Sequence, residues 1–145
     1  MAYRGRYQVK NIGKYKGDAG RVTYRSGLEL RFMNYLDRHQ DVLEWSSEEV
    51  VVPYRSPLDS KLHRYFVDFY VKRRTRDGNI EIALVEIKPK YQCGPPVAKS
   101  RKTRRFIMES RTWAINKTKW DAASDFCARR GWKFIVLTEK DIEAL

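Results

Sequence analysis

The sequence predicts an α/β domain in which a central mixed β-sheet is flanked by helices. Three observations carry this expectation. Ser26 to Leu36 repeats its apolar residues at helical spacing behind a capping serine. Residues 65–71 and 80–88 read as strands joined through an Asp-Gly turn. A long helical stretch, 114–130, then leads into an apolar strand at 132–138. The order helix, three strands, helices, strand, helix packs as one sheet with helices on its faces. At 145 residues the chain suits a single domain, 1–145.

Residues 1–25 show no hydrophobic period and carry Arg4, Arg6, Lys10, Lys14, Lys16 and Arg21 among four tyrosines. They read as an irregular basic N-terminal arm, either a solvated tail or a strap that tracks a phosphate backbone. The first helix follows. Ser26 can cap it, and Glu29 stands three residues on, where a capping box places its acid. Phe32, Met33 and Leu36, at +3, +4 and +7, also set Glu29 in the apolar stripe. Cap and inward-pointing site residue both remain open for it. Asp41 to Trp45 leads into a first strand, Glu48 to Tyr54, closed by Pro53.

The second strand, Tyr65 to Val71, has Asp68 as its single charge among aromatic and β-branched residues, against strand propensity. A strict two-residue turn at Asp77-Gly78 would pair Asp68 with Ile87. A three-residue loop with Gly78 in the left-handed region pairs Thr75 with Asn79 and therefore Asp68 with Glu86. Partners so placed lie ~5 Å apart on one face, where like charges repel. Two such carboxylates make sense with a divalent cation between them. In the third strand, Ile80, Ile82 and Leu84 share a face, and its continuation carries Glu86 and Lys88. Alone, that Glu-x-Lys reads as a structural ion pair at a strand end.

Lys88, Lys90, Lys99, Arg101, Lys102, Arg104 and Arg105 follow with no acid between Glu86 and Glu109. Gly94-Pro95-Pro96 interrupts regular structure there, and a helix is expected to start near Val97 or Lys99. Within 114–130, Ile115, Trp120, Ala123, Phe126 and Cys127 are the inward positions and Gly131 the stop. Residues 139–145 form a short last helix. His39 and His63 lack ligand spacing and read as surface residues. The net charge of +12 points to a polyanionic partner, nucleic acid or an anionic membrane. No apolar run is long enough to span a bilayer, and no signal-peptide pattern is present. Cys93 and Cys127 make neither a disulfide framework nor a zinc site and are expected as reduced thiols.

Glu29 on a first helix, then Asp68, then Glu86-Ile87-Lys88 on consecutive strands resembles the PD-(D/E)xK, or restriction-endonuclease-like, nucleases. Further segments make the chain similar to the head-completion nucleases of tailed bacteriophages and, more distantly, to the TnsA-type transposon endonucleases. Among them are Lys14-Tyr15-Lys16-Gly17-Asp18, Thr112-Trp113-Ala114-Ile115-Asn116 and Arg129-Arg130-Gly131-Trp132. One departure is Val67, where the family motif has proline before the aspartate. The resemblance implies a restriction-endonuclease-like core and metal-dependent hydrolysis of DNA in phage head completion. Asp68, Glu86 and the carbonyl of Ile87 would hold Mg2+ or Mn2+, with Glu29 completing the set directly or through water. Lys88 would polarise water or neutralise developing charge. Arg25, Lys90, Lys99, Arg101, Lys102, Arg104 and Arg105, with Arg4, Arg6, Lys14 and Lys16 of the arm, would contact DNA. It further implies phage portal, neck or head proteins as partners, a homodimer, and a place in the host cytoplasm or with the virion. The alternative is a DNA-contacting structural head-completion protein with a vestigial site.

Overall fold

A computed structural model describes residues 4–97 and 103–145. The chain runs β1 (Gly5–Arg6), β2 (Thr23–Tyr24), α1 (Gly27–Arg38), β3 (Val42–Ser47), β4 (Val51–Arg55), β5 (Leu62–Phe66), β6 (Phe69–Arg74), β7 (Ile80–Ile87), α2 (Arg104–Ala128), β8 (Lys133–Leu137) and α3 (Glu139–Glu143). The central sheet has the order β3-β6-β7-β8. Its first three strands are antiparallel and β8 joins β7 in parallel, so the sheet is mixed as expected. A parallel neighbour requires a crossover, and α2 supplies it.

Both faces of this sheet are buried. One face packs Phe69, Val71, Ala83, Val85 and Ile87 against α1, α3 and the N-terminal segment. The other packs Tyr70 and Leu84 against α2 and the small β4–β5 ribbon. The expected half-buried β7 is therefore covered on both sides, because it is an inner strand with helices on each face.

Two expected strands are divided in the structure. Glu48 to Tyr54 is not one strand: β3 ends at Ser47, Glu48 turns with φ 54°, and β4 begins at Val51. Tyr65 to Val71 is likewise broken at Val67-Asp68. The cause is a change of sheet. β5 pairs with β4, whereas β6 pairs with β3 and β7. The crossing is held by Val67 N–H donating to Val50 O and Glu48 N–H donating to Asp68 O, both at 3.1 Å. Pro53 does not close β4 but sits inside it, opposite Arg64, which a two-stranded ribbon with open edges permits. The long helix begins at Arg104, where the Thr103 hydroxyl accepts from Phe106 N–H, and not near Val97, which is exposed non-helical chain. Lys99 lies outside the described residues. The helix closes at Ala128, before Gly131 turns with φ 71°.

The arm is short of regular structure but docked. Tyr7, Val9, Tyr15 and Val22 enter the core. Asp37, fully buried on α1, accepts from the Tyr7 hydroxyl (3.0 Å), Lys10 N–H (2.8 Å) and Asn11 N–H (3.2 Å). Burial and this bond to Asp37 push the Tyr7 phenol well above its ordinary range. Gly17, at φ 148°, lies under the Glu49 carboxylate, which accepts from Asp18 N–H (2.8 Å), and a β-carbon there would collide with it. A buried acceptor serving several donors is costly to delete, since each donor loses its partner. Asp37→Ala should cost roughly 3 kcal/mol of stability, read as a lower urea midpoint. An unchanged midpoint would show that the arm is held by its apolar residues alone.

Candidate functional site

The β6–β7 hairpin fixes the register of the acids. Thr75 N–H donates to Asn79 O, Gly78 turns at φ 83°, and Arg74 pairs with Ile80 through to Phe69 with Val85. Continued by one residue, Asp68 faces Glu86, as the three-residue loop requires. Asp68 and Glu86 therefore share the α2 face with Tyr70 and Leu84.

Each carboxyl is held by its surroundings. Ile87 N–H donates to Asp68 Oδ2 at 2.9 Å. The Tyr65 hydroxyl donates to Glu86 Oε2 in a short hydrogen bond, and Glu86 is only 5% exposed. Burial first, then the Glu86 charge and a hydrogen bond shared with the Glu86 carboxyl, hold Asp68 well above the usual carboxylate range. Burial and the Glu86 charge likewise push the Tyr65 phenol up.

These acids open onto a cleft of about 610 Å³, in which Arg25, Arg64, Lys88 and Lys119 stand around Glu48, Asp68 and Glu86. Lys88 N–H donates to Leu137 O at 3.0 Å, but its ammonium makes no hydrogen bond or ion pair among the described residues, so the structural Glu86–Lys88 pair is absent. Arg25 bonds Glu48 Oε1 at 2.6 Å with its side chain largely exposed. Such pairs contribute about 0–1 kcal/mol, so Arg25 is readily available to another anion. Glu48, Arg64, Tyr65 and Lys119 were not read from the sequence. Glu48 carried no pattern of its own, and Lys119 joins the cleft through the placement of α2 across the sheet.

Glu29 resolves partly as a cap. Ser26 Oγ accepts from Glu29 N–H (3.1 Å), and Glu29 Oε1 reaches back to Arg25 N–H (3.3 Å), one residue before the cap. Burial raises its carboxyl above the ordinary value, and the charges of Glu48 and then Glu86 add to this. It stands behind Arg25 and Glu48 and does not line the cleft. Among the described residues, no three carboxylate, imidazole or thiol groups meet closely enough to hold an ion on their own.

The basic residues divide by place. Arg4 lines a furrow of about 390 Å³ that it shares with Arg25, and Arg6 is exposed in β1. Lys14 Nζ donates to the Asp37 and His39 carbonyls at the end of α1 (3.1 and 2.9 Å), and Lys16 lies 5.0 Å from the Tyr70 ring. Both are therefore engaged within the fold. Lys90 is exposed beside α3, its N–H donating to Glu139 (2.9 Å). Arg104 is exposed at the start of α2, and Arg105 pairs with Glu109 (2.8 Å). Lys99, Arg101 and Lys102 lie outside the described residues. His63 pairs with Asp59, and Cys93 and Cys127 are free thiols. Among the described residues no helix is long and apolar enough to cross a membrane.

Residues 39–139 match the family model of the TnsA-like endonuclease N-terminal domain. The chain belongs to the TnsA-like endonuclease family. Asp68, Glu86 and Lys88 fall within the matched region of this TnsA-like domain, while Arg25 and Glu29 precede it. The chain is also 40% identical over 149 residues to the head completion nuclease of Enterobacteria phage T4, covering 100% of this chain and 97% of that one.

The crowded acids set a pH dependence. Asp68 holds its proton in the folded protein to a higher pH than its ordinary 3.8. Above 3.8 the unfolded chain therefore binds fewer protons than the folded one, and stability falls as pH rises towards the folded value. Asp68→Asn removes this loss while keeping an acceptor for Ile87 N–H. In EDTA, the variant's thermal midpoint should exceed the wild type's by a margin that widens from acid to neutral pH. A margin independent of pH would mean that Asp68 carries no raised carboxyl.

Proposed function

We propose that this member of the TnsA-like endonuclease family is a metal-dependent deoxyribonuclease that hydrolyses DNA phosphodiester bonds in completing a phage head. One observation carries the reading: a crowded pair of the buried Glu86 and the half-buried Asp68 opening, beside the unpaired ammonium of Lys88, onto a cleft rimmed with cations. The similarity to a head completion nuclease supports the biological setting, which would be the host cytoplasm or the virion.

The donor set suits a hard divalent cation. Two carboxylates pressed together without a counter-charge, and a neighbouring backbone carbonyl at Ile87, are oxygen ligands of the kind Mg2+ or Mn2+ takes. Asp68, Glu86 and the Ile87 carbonyl would hold the ion, with Glu29 acting through water. Such an ion supplies a more acidic water and neutralises charge on the phosphate oxygens. The chain's own groups do the remainder. Tyr65 fixes the rotamer of Glu86, Ile87 N–H fixes Asp68, and Lys88 presents its ammonium to the charge that builds as water adds to phosphorus and a sugar oxygen departs. Arg25 and Arg64 at the rim would hold flanking phosphates.

Incubation with linear, supercoiled and single-stranded DNA in Mg2+, Mn2+ or EDTA tests the reading. Asp68→Ala and Glu86→Ala should each abolish cleavage while leaving folded, DNA-binding protein. Lys88→Ala should slow cleavage about a hundredfold, and Glu29→Gln should reduce it by orders of magnitude while leaving the Ser26 cap and stability intact. Wild-type cleavage by either alanine variant of the acid pair would overturn the site assignment, and a wild type that cuts no DNA under any metal would leave a structural DNA-contacting protein as the reading. Binding should weaken with salt, each phosphate contact adding about −0.9 to the log–log slope. Neutralising Lys99, Arg101, Lys102, Arg104 and Arg105 together should flatten that slope, and an unaltered slope would make this run a solvated face.

A further inference from the structure

Asn116 is poorly suited to its position by every local criterion. It lies near the middle of α2, where asparagine is a weak helix former. It is 7% exposed, and its side chain has no hydrogen-bond partner among the described residues. Buried amides are ordinarily paired. Nor is this one sealed: the fully covered unpartnered side-chain atoms among the described residues are the indole nitrogens of Trp45 and Trp120. The small exposed area of Asn116 therefore opens onto free space.

That space consists of two clefts. Asn116 lines the carboxylate cleft with Glu86 and Lys88, and it also lines a groove of about 280 Å³ bounded by Tyr91, Gln92, Thr112 and Trp113. It is the residue common to both. Tyr91, 81% exposed, and Trp113 bring aromatic surface to the groove, while Gln92 and Thr112 bring hydrogen-bonding groups. Its cation among the described residues, Arg105, lines the groove with its side chain exposed and pairs with Glu109. This aromatic and hydrogen-bonding lining suits a base and its sugar. The cationic side lies across Asn116, where Lys119, three residues on along α2, stands over the rings of Tyr54 and Tyr65.

We propose that Asn116 contacts the substrate strand at the junction of the two clefts, its amide donating to a phosphate oxygen, and that the groove receives the nucleotide next to the scissile phosphodiester. This rests on the nuclease reading of the carboxylate cleft. The amide is left unpaired by the protein because the strand supplies its partner. Lys119 contributes the charge on the cleft side, and Tyr91 the base contact in the groove.

Asn116→Ala, Asn116→Asp and Tyr91→Ala, each in the full chain, test this. Thermal unfolding, and binding of a fluorescent oligothymidylate in EDTA, are measured for each. Asn116→Ala should unfold at or above the wild-type temperature yet bind about tenfold more weakly. Asn116→Asp, nearly isosteric but repelling phosphate, should bind more weakly still. The wild type should prefer the oligonucleotide to an abasic one of equal length, and Tyr91→Ala should lose that preference. Wild-type affinity in Asn116→Asp overturns the proposal, as does lowered stability with unchanged affinity in Asn116→Ala, the mark of a structural amide. Equal binding of base-bearing and abasic strands by the wild type overturns the groove assignment. Binding in EDTA is independent of cleavage, so a wild type that cuts no DNA under any metal would count against the nuclease reading alone.

Discussion

Asp68 and Glu86 meet because the chain leaves one sheet and enters another at Val67-Asp68, so that the aspartate arrives at the end of β6 opposite the last turns of β7. Had β5 and β6 been one strand, Asp68 would have sat inside a ladder. As it is, its carboxyl is free to accept from the Ile87 amide and to press on Glu86. Two acids cannot both ionise at such range in a buried setting without compensation. The rest of the site answers this: a phenol on Glu86, an amide on Asp68, and cations gathered around the opening.

The sheet separates two jobs. Its α1 face is closed by the arm, α1 and α3 and carries the larger apolar cluster, so it anchors the β6–β7 hairpin. The α2 face is smaller, is partly built by the β4–β5 ribbon, and ends in the cleft. Glu86 thus lies within β7, with Asp68 one residue before β6 and Lys88 one residue after β7, whereas Arg25, Arg64 and Lys119 reach the same space from the bend before α1, from β5 and from α2. Functional groups are held best on regular elements whose own packing is complete; Glu86 meets that condition, and Asp68 is held at the sheet crossing by Glu48 N–H on its carbonyl and Ile87 N–H on its carboxyl.

The legible parts of the fold were those written in local chemistry. Asp77-Gly78 between two strand patterns marked the hairpin and left two registers open, of which the structure has the one that faces Asp68 with Glu86. Ser26 marked the start of α1, and the three-residue spacing from it offered the capping contact that Glu29 makes. What was hidden depended on distant partners. The break at Val67-Asp68 exists because Val50 and Glu48 bond there. The arm docks because Asp37, 27 residues beyond Lys10 and 30 beyond Tyr7, collects its donors. Helical periodicity could place Asn116 on α2 but could not say that it would face open space.

The arm also covers part of one sheet edge. β3 is an edge strand, and edge strands present unpaired backbone groups to any neighbouring chain. Here Tyr15 bridges to Trp45 in parallel, Lys16 N–H donates to Trp45 O (2.9 Å), and the Tyr15 hydroxyl accepts from Ser47 N–H (3.1 Å). The last half of that edge is therefore occupied by the chain's own N-terminal segment. A protein of net charge +12 attracts anionic neighbours. Capping this half of β3 from within withdraws that stretch of backbone from pairing with a neighbouring chain.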